Sequence, residues 1–234
     1  MNKYKISVCS FNINGTKDKV LSLDEKLANH DIVLLQEYLL PSCSVNFLRQ
    51  SSQHAVFITN AQRTRGRPSG GLACIIKRSL PSYLSPSCYQ SSEHYLATRL
   101  ADVIIINAYL PHDRRSVSSF SSYANACNKL KTLISGIERL GYKWVLIGDL
   151  NCDNTVSSTR KEALFQCLPS VFKVLTKDHS FTYIHCSGSV SNLDHCICHH
   201  SLQTSAVHVD EDERDYDHLQ IGRASCRERV FRAV

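Results

Sequence analysis

The stretch WVLIGDLN, residues 144–151, joins a continuous apolar run to a carboxylate and an amide. Such a run, bounded by Gly148, is typical of a strand that is buried on both faces. Because side chains alternate along a strand, Asp149 and Asn151 are predicted to share one face while Leu150 takes the other. Glycine, aspartate and asparagine are also common in turns, so a turn remains the alternative for this stretch taken alone.

Other strand patterns alternate with helical ones along the chain. Strands are predicted over residues 5–13, 32–36, 71–77, 95–100, 103–110 and 144–150, and further short strands over residues 181–209. Helices are predicted over residues 118–140 and about 159–167, the second ending before Pro169. A chain of 234 residues can form one large core,. The mixture therefore predicts one α/β domain in which two sheets pack face to face with helices outside.

The net charge of +6 would suit a polyanionic partner such as DNA,. The last fourteen residues, IGRASCRERVFRAV, hold four arginines and one glutamate and so supply +3 of that charge. IGRASCRERV is also what a sequencing adapter would encode if it were translated. We therefore expect residues 221–234 to be a non-native tail and residues 1–220 to form the domain.

The cysteines and the amino terminus indicate the cellular compartment that we expect for the protein. Eleven cysteines, spread singly from Cys9 to Cys226, do not form a repeated framework and favour reduced thiols,. The first residues, MNKYKISVCSFN, alternate instead of forming the apolar segment of a secretory signal, and no apolar run approaches the length of a bilayer span,. We expect a nuclear or cytoplasmic monomer that is not secreted and does not contact membranes.

Polar residues recur where the predicted strands end. A carboxylate that follows a fully apolar strand risks burial, which is costly unless the group is paired or binds a metal. If several such groups meet at one edge of the sheets, their oxygens would suit a hard cation such as Mg²⁺. Besides Asp149 and Asn151, the residues in question are Asn12, Glu37, Tyr109, Asp194, Asp217 and His218.

Six motifs in chain order, SFNI, LLQE, NAYLP, GDLN, SNLDH and DYDH, resemble the endonuclease/exonuclease/phosphatase superfamily. Within it, RGRPSGGLACII together with NAYLP, GDLN and SFTY is most similar to the apurinic-type endonuclease domain of non-LTR, LINE-type retrotransposons. The resemblance covers almost the whole chain up to Ile221. It implies a DNase I-like fold, which is a four-layer α/β sandwich of two mostly antiparallel sheets flanked by helices, with the active site at one edge.

The resemblance also implies divalent-metal-dependent phosphodiester hydrolysis. Glu37 would bind the metal, Mg²⁺ or Mn²⁺, with Asn12 and Asp217 beside it. A metal suits this reaction because a phosphodiester repels nucleophiles until the charge that builds on its oxygens is neutralised. On their own, Asn12 could equally cap the following segment and Glu37 could be a surface carboxylate.

Catalytic roles follow from the same resemblance. Asp149 would orient and deprotonate the attacking water, and Asn151 would hold the phosphate or the water. Tyr109 would lie beside the phosphate, although a tyrosine at a strand end is also common as a rim aromatic. His218 would donate to the phosphate oxygens, and Asp194 would orient it, as the acid does in a catalytic triad.

Five further residues match positions on the nucleic-acid side of the site. Thr182 in SFTY and Asn192 in SNLD would contact substrate, although a strand hydroxyl and a turn amide would explain them equally well. Arg63, Arg65 and Arg67 would bind phosphates, and a solvated loop is the alternative for them.

The function that the resemblance implies is a Mg²⁺-dependent endonuclease that nicks target DNA for retrotransposition, in which case the chain would be a fragment of a polyprotein with a reverse transcriptase. The alternatives are a small-molecule or lipid phosphatase or phosphodiesterase of the same superfamily and an inactive copy that binds nucleic acid. Tyr216 replaces the usual serine before the final Asp-His pair, so an inactive copy remains one of the alternatives. The cluster HCSGSVSNLDHCICHH suggests zinc, but the CxC spacing is short and favours buried cysteines.

Overall fold

Two six-stranded sheets form the centre of the molecule. The structure is a computed structural model that describes residues 5–15, 20–39, 52–61, 69–112, 117–176, 181–184, 188–204, 207–210 and 220–227. The strands in chain order are β1 (Lys5–Asn12), β2 (Ile32–Gln36), β3 (His54–Thr59), β4 (Leu72–Lys77), β5 (Ser87–Ser91), β6 (Tyr95–Leu100), β7 (Val103–Tyr109), β8 (Lys143–Asp149), β9 (Phe172–Val174), β10 (Tyr183–Ile184), β11 (Val190–Ser191), β12 (Asp194–His199), β13 (His208–Asp210) and β14 (Gln220–Arg227). The helices are α1 (Val20–Asn29), α2 (Val117–Arg139) and α3 (Thr159–Cys167), with a short 3₁₀ turn at Ser82–Leu84.

Each large sheet is antiparallel except for one parallel pair. Sheet 1 has the strand order β13-β14-β1-β2-β4-β3, and its parallel pair is β1 with β2. Sheet 2 has the order β5-β6-β7-β8-β12-β9, and its parallel pair is β7 with β8. Strands β10 and β11 form a separate small hairpin. The prediction of two mostly antiparallel sheets is confirmed.

The core consists of three apolar clusters that separate four layers. Between the sheets, inward-facing residues such as Val8, Leu34 and Ile105 form one cluster. Leu23 of α1 packs on the outer face of sheet 1, and Leu130 of α2 packs on the outer face of sheet 2. The layers are therefore α1, sheet 1, sheet 2, and α2 with α3, as the four-layer sandwich predicts.

The two helices outside sheet 2 have local reasons for their limits. Helix α2 ends before Gly141, which takes the left-handed backbone (φ +77°) that glycine adopts without strain, and its N–H bonds to the Glu138 carbonyl at 2.9 Å,. Helix α3 begins after Ser158, whose side chain accepts the Lys161 N–H at 3.2 Å as an N-cap,. The predicted ranges for both helices match within one residue.

Four elements were not predicted, and a fifth falls on the predicted tail. The patterns above give no signal for α1, β3, β5 or β9. Strand β14 pairs with β1 from Lys5↔Arg227 to Ser10↔Ile221, so residues 221–227 supply the ladder partner that β1 needs on that side,. That residues 221–234 are a non-native tail stays a prediction. Within the described ranges no helix is long and apolar enough to cross a membrane.

Candidate active site

Three of the predicted site residues lie in one row across sheet 2. Tyr109, the last residue of β7, pairs with Asp149, the last residue of β8. On its other side Asp149 pairs with Asp194, the first residue of β12. Strand pairing thus brings together three residues that are far apart in sequence. The row has two acidic groups directly opposite each other, an arrangement that is unfavourable without a positive or hydrogen-bonded partner.

Gly148 allows the parallel strands to meet next to this row. Its φ is +140°, and a Cβ atom at this position would lie 2.1 Å from the Ala108 carbonyl oxygen. Only glycine can therefore occupy this point of β8 without moving β7. The glycine of GDLN is a strand residue in close contact with its neighbour, and the turn interpretation is wrong for it.

Sheet 1 contributes two further described residues of the predicted site. Asn12 ends β1, and Glu37 directly follows β2, whose last residue pairs with Asn12. Glu37 has φ +51°, a conformation that costs a non-glycine residue about 1 kcal/mol or more,. The Glu37 carbonyl accepts the Gly15 N–H at 2.8 Å, which ties it to the chain after β1.

The residue after Glu37 anchors this strained backbone. Tyr38 is fully buried, and its hydroxyl donates to the Thr59 carbonyl at 2.6 Å. Gly71 makes room for the ring, since a Cβ atom there would lie 3.0 Å from Tyr38 Cε1. Gly71, directly before β4, thus has a packing role that supports the position of Glu37.

Hydrogen bonds connect the two sheets at the site. The Asn12 side-chain nitrogen donates to Glu37 Oε2 at 3.2 Å and to Asp149 Oδ2 at 3.0 Å. The Tyr109 hydroxyl donates to Glu37 Oε1 at 2.7 Å. Four predicted residues therefore form one hydrogen-bonded cluster, in which Asn12 and Asp149 are buried and Glu37 and Tyr109 are partly exposed.

The donor set of this cluster fits a hard divalent cation. Two carboxylates, Glu37 and Asp149, converge on the same amide, and Mg²⁺ in proteins is commonly held by one or two carboxylates while it keeps several waters. No three His, Cys, Asp or Glu side chains among the described residues form a metal-binding group by themselves. The remaining positions would fall to water, to a phosphate or to Asp217, which lies outside the described residues.

Asn151 is close to Asp149 for a different reason than strand alternation. Strand β8 ends at Asp149, and Asn151 has a left-handed backbone with φ +46°. Its N–H donates to Asp149 Oδ1 at 2.9 Å, as in an Asx turn, and its side-chain nitrogen donates to the Leu110 carbonyl at 2.9 Å,. The prediction that the two residues meet at the strand end is correct, but the strand-face reasoning behind it is wrong.

A buried arginine that sequence reasoning missed fixes the loops behind the site. Arg160 donates to the carbonyls of Pro111, at 2.7 Å, and Asn151, at 3.3 Å. Its guanidinium lies 4.4 Å from the centre of the Tyr123 ring, and the Tyr123 hydroxyl donates to the Leu150 carbonyl at 3.1 Å. Arg160 therefore joins the loop after β7 to the loop after β8. The sequence signal was its spacing, because Arg160 shares the buried face of α3 with Leu164 and Cys167,.

Thr182 and Asn192 differ in what they contact. Thr182 is fully buried, and its hydroxyl oxygen accepts the N–H groups of Leu193 and Asp194, both at 2.9 Å. This geometry supports a role in holding Asp194 in place. Asn192 is only 2% exposed, and within the described part of the chain neither polar atom of its side chain has a hydrogen-bond partner. A buried amide left this way is costly.

Strand β12, which begins with Asp194, also carries several of the residues that suggested zinc. His195 is buried and its Nε2 lies 2.6 Å from the Cys152 carbonyl oxygen; burial lowers the pKa of this histidine, so the neutral ring donates to that carbonyl,. Cys196 and Cys198 face the layer between the sheets, whereas Ile197 faces the helices. His195 and Cys196 therefore point to opposite faces of β12 and do not share one ion. His185 and Cys186 lie outside the described residues.

Five predicted site residues cannot be placed. Arg63, Arg65, Arg67, Asp217 and His218 lie outside the described residues, and their roles stay predictions.

Solved structures with this fold include several enzymes of DNA metabolism. NExo from Neisseria, a 3′ phosphatase bound to a product DNA hairpin, has a TM-score of 0.74 at 17% identity over 95% of this chain and 99% of that one. The catalytic domain of APE2 from Xenopus laevis has a TM-score of 0.71 at 17% identity over 95% of this chain and 92% of that one. An AP endonuclease from Archaeoglobus fulgidus has a TM-score of 0.72 at 15% identity over 95% and 99%. At such identity the likeness shows the fold, and it confirms the DNase I-like sandwich.

Comparison of the sequence with curated proteins found no match. The model of the Endonuclease/Exonuclease/phosphatase family matches residues 9–225, which include the second half of β1, most of β14 and everything between them. The match runs through both sheets and through every described residue of the hydrogen-bonded cluster. The chain therefore belongs to the endonuclease/exonuclease/phosphatase family.

Proposed function

We propose that this protein is a divalent-metal-dependent DNA endonuclease. The observation that carries the proposal is the placement of the Asn12 amide between the carboxylates of Glu37 and Asp149, one from each sheet. Two buried or half-buried carboxylates converge there on one neutral amide, and a divalent cation would balance their negative charge,.

Asp149 is the residue that we assign to water activation. Its Oδ1 accepts the Asn151 N–H and its Oδ2 accepts the Asn12 amide, so the carboxylate is held in one orientation. In this orientation the carboxylate would accept a proton from the attacking water. The water oxygen bonds to phosphorus as the bond from phosphorus to the 3′ oxygen breaks, and the departing oxygen takes up a proton. General-base assistance of this kind contributes a factor of about 10² to 10⁴.

Glu37, with Asn12 beside it, is the residue that we assign to the metal. When bound, Mg²⁺ or Mn²⁺ would neutralise charge on the phosphate oxygens. The Tyr109 hydroxyl orients the Glu37 carboxylate through the 2.7 Å bond to Oε1, so the second carboxylate oxygen is left to Asn12 and the cation. Asp217 would complete the ligands.

Asp194 and His218 form the second half of the proposal. Thr182 holds the backbone of Asp194 at the end of the row opposite Asp149. From there Asp194 would accept a hydrogen bond from His218 and favour its charged form, which donates to a phosphate oxygen. Asn192, whose buried amide has no hydrogen-bond partner among the residues that the structure describes, would contact the nucleic acid beside this pair.

DNA is favoured as substrate over small molecules by three considerations. The chain is basic, with a net charge of +6, half of it from residues 221–234,. The arginines at residues 63, 65 and 67 would add phosphate contacts. NExo, which has the same fold, was solved with a DNA hairpin. The LINE-type motifs further support a role in nicking target DNA for retrotransposition, with a reverse transcriptase on the same polyprotein.

A second candidate is 3′-end processing of DNA by the same chemistry. It is favoured by the description of NExo as a 3′ phosphatase. Endonuclease activity and 3′-end processing differ in whether the DNA strand must have an end near the site. The loops that decide this vary most among proteins of one fold.

The proposal is tested with supercoiled plasmid, which reports internal nicks, and with a duplex that has a 3′ phosphate at a nick, which reports end processing. Each substrate is incubated with Mg²⁺ or EDTA and with the wild-type protein, Asp149→Ala or His218→Ala. We expect Mg²⁺-dependent nicking of the plasmid that both substitutions abolish. Activity on the 3′ phosphate alone would favour the second candidate. A folded wild-type protein that acts on neither substrate would contradict both.

A further inference from the structure

A fully buried polar bridge joins the two sheets beneath the site. The Asn107 side-chain nitrogen, on β7 of sheet 2, donates to the main-chain carbonyls of Leu35 and Ala73 in sheet 1, at 3.0 and 2.9 Å. Gln36 of sheet 1 donates from Nε2 to Asn107 Oδ1 at 2.6 Å and to Ser10 Oγ at 3.0 Å. The bridge therefore connects β1, β2 and β4 of one sheet to β7 of the other.

Stability alone does not account for this bridge. The inner face of β7 carries Val103 and Ile105 before Asn107, and these apolar residues pack in the layer between the sheets without any hydrogen bond. Burying two amides there carries a desolvation cost that an apolar pair would avoid. Moreover, among the described residues Gln36 Oε1 has no hydrogen-bond partner, so the network is not even fully satisfied,.

The bridge lies beside the catalytic cluster, one or two residues back along the same chain segments. Gln36 directly precedes Glu37, and Asn107 lies two residues before Tyr109 on the same face of β7. Since the Tyr109 hydroxyl bonds to Glu37 Oε1, the two sheets are joined twice in succession, once by the bridge and once at the site. Asp149 is the cross-strand partner of Tyr109, so its distance from Glu37 depends on the separation of the sheets at this level.

We propose that Asn107 and Gln36 are positioning residues that set the spacing of the two sheets under Glu37 and Asp149, and with it the affinity of the site for a divalent cation. The inference rests on the proposed function, because it assumes that these carboxylates bind the ion. Directional hydrogen bonds fix a spacing more narrowly than apolar contacts, and metal ligands must be held within about 0.5 Å of their required geometry.

The test measures Mn²⁺ binding by isothermal titration calorimetry on the full chain without DNA. Asn107→Leu removes the whole bridge, and Gln36→Met removes one side of it while Asn107 keeps its two carbonyl partners. Ile105→Val is the matched control, since it lies two residues away on the same face of the same strand. Urea unfolding of each variant gives its stability.

We expect Asn107→Leu to weaken Mn²⁺ binding by about tenfold or more, as loss of residues that orient metal ligands commonly does. Gln36→Met should weaken it less. The double variant should bind like Asn107→Leu alone, because both residues act through one bridge. Ile105→Val should bind Mn²⁺ like the wild type although it unfolds more easily. If Asn107→Leu does not fold, Gln36→Met with the same control decides the question.

Two negative results have different meanings. Wild-type affinity for Mn²⁺ in a folded Asn107→Leu, or in Gln36→Met if that variant decides, would overturn this inference and leave the proposed function intact. A folded wild-type protein that binds no Mn²⁺ would contradict the proposed function and the inference together.

Discussion

The two ends of the layer between the sheets are built on the same strands but have opposite chemistry. Along the inner face of β8, Val145 and Ile147 are followed by Asp149, and along β7, Ile105 is followed by Asn107 and Tyr109. The apolar end surrounds a cavity of only about 30 Å³, lined by Val145, Ile147 and Ile105 among others. The polar end is joined by hydrogen bonds between side chains.

The comparison shows that one strand can stabilise the fold at one end and supply reacting groups at the other. Apolar burial tolerates small shifts, because contacts between methyl groups have no preferred direction. Hydrogen-bonded carboxylates do not tolerate them. Substitutions at the apolar end should therefore change stability without changing the chemistry of the site, and conservative substitutions of the carboxylates at the polar end should do the reverse.

The largest effect is expected for Asp149→Asn. Loss of the general base should reduce the rate of plasmid nicking by about 10³-fold, within the usual range for such a group. The amide has the same shape, so the protein should remain folded by circular dichroism. The control is Asp102→Asn, a carboxylate in the turn at the apolar end that pairs with Lys143 at 3.2 Å. Equal loss of activity in the two variants would contradict the distinction between the apolar end and the polar end of the layer between the sheets.

Arg160→Met should show the next largest effect, on stability and activity together. It leaves the partly buried carbonyls of Pro111 and Asn151 without this donor, which should lower the free energy of unfolding by about 3 kcal/mol,. Arg99→Met is the matched control, because Arg99 also donates to a carbonyl, that of Ala101, and lies over Tyr142, but is exposed. It should cost less than about 1 kcal/mol. Similar urea midpoints for the two variants would contradict the role given to Arg160.

Val145→Ala tests the apolar end directly. Deleting two buried methyl groups beside the small cavity should lower the free energy of unfolding by about 2 kcal/mol. Nicking per folded molecule should not change, although Val145 lies on the same strand and face as Asp149. A rate that falls together with stability would mean that the two ends are not independent.

The smallest effect is a pH dependence from His195. Burial lowers the pKa of His195 in the folded protein, so the unfolded state binds the proton more readily,. The stability that the neutral ring contributes is complete above about pH 6.5, the pKa of histidine in the unfolded state. It is lost as the pH falls through the pKa of His195 in the folded protein. Between pH 7.5 and 6.5 the loss is up to about 0.4 kcal/mol. His195→Gln, which keeps a donor for the Cys152 carbonyl, should remove this slope in urea unfolding, and a slope unchanged by the substitution would assign it to other groups.

Much of the fold could be predicted because the central strands are rich in apolar residues. Residues 32–36 and 95–100 are predicted with the bounds that the structure shows for β2 and β6. Strands β3 and β5 are half-buried or exposed at the sheet edges, so their sequences lack a strong apolar signal. Helix α1 has only a narrow apolar face toward sheet 1, carried by Leu23 and Leu27, and was missed for the same reason.

The site was predictable only where a motif marked it. Asn12, Glu37, Tyr109 and Asp149 stand at the ends of apolar strands, and the structure places them together. The supporting residues could not be found this way, because their partners are main-chain carbonyls that are distant in sequence. Such contacts, made here by Arg160 and by the bridge under the site, depend on how the elements pack; the helical spacing of Arg160 indicates that it is buried but does not identify its partners.

The most direct test of the account is plasmid nicking with Mg²⁺ in water enriched in ¹⁸O, with mass analysis of the new ends. The account predicts that the wild-type protein makes nicks with a 3′ hydroxyl and one ¹⁸O atom in each new 5′ phosphate, and that EDTA and Asp149→Asn abolish them. Folded wild-type protein that makes no such nicks, or Asp149→Asn that makes them at the wild-type rate, would contradict it.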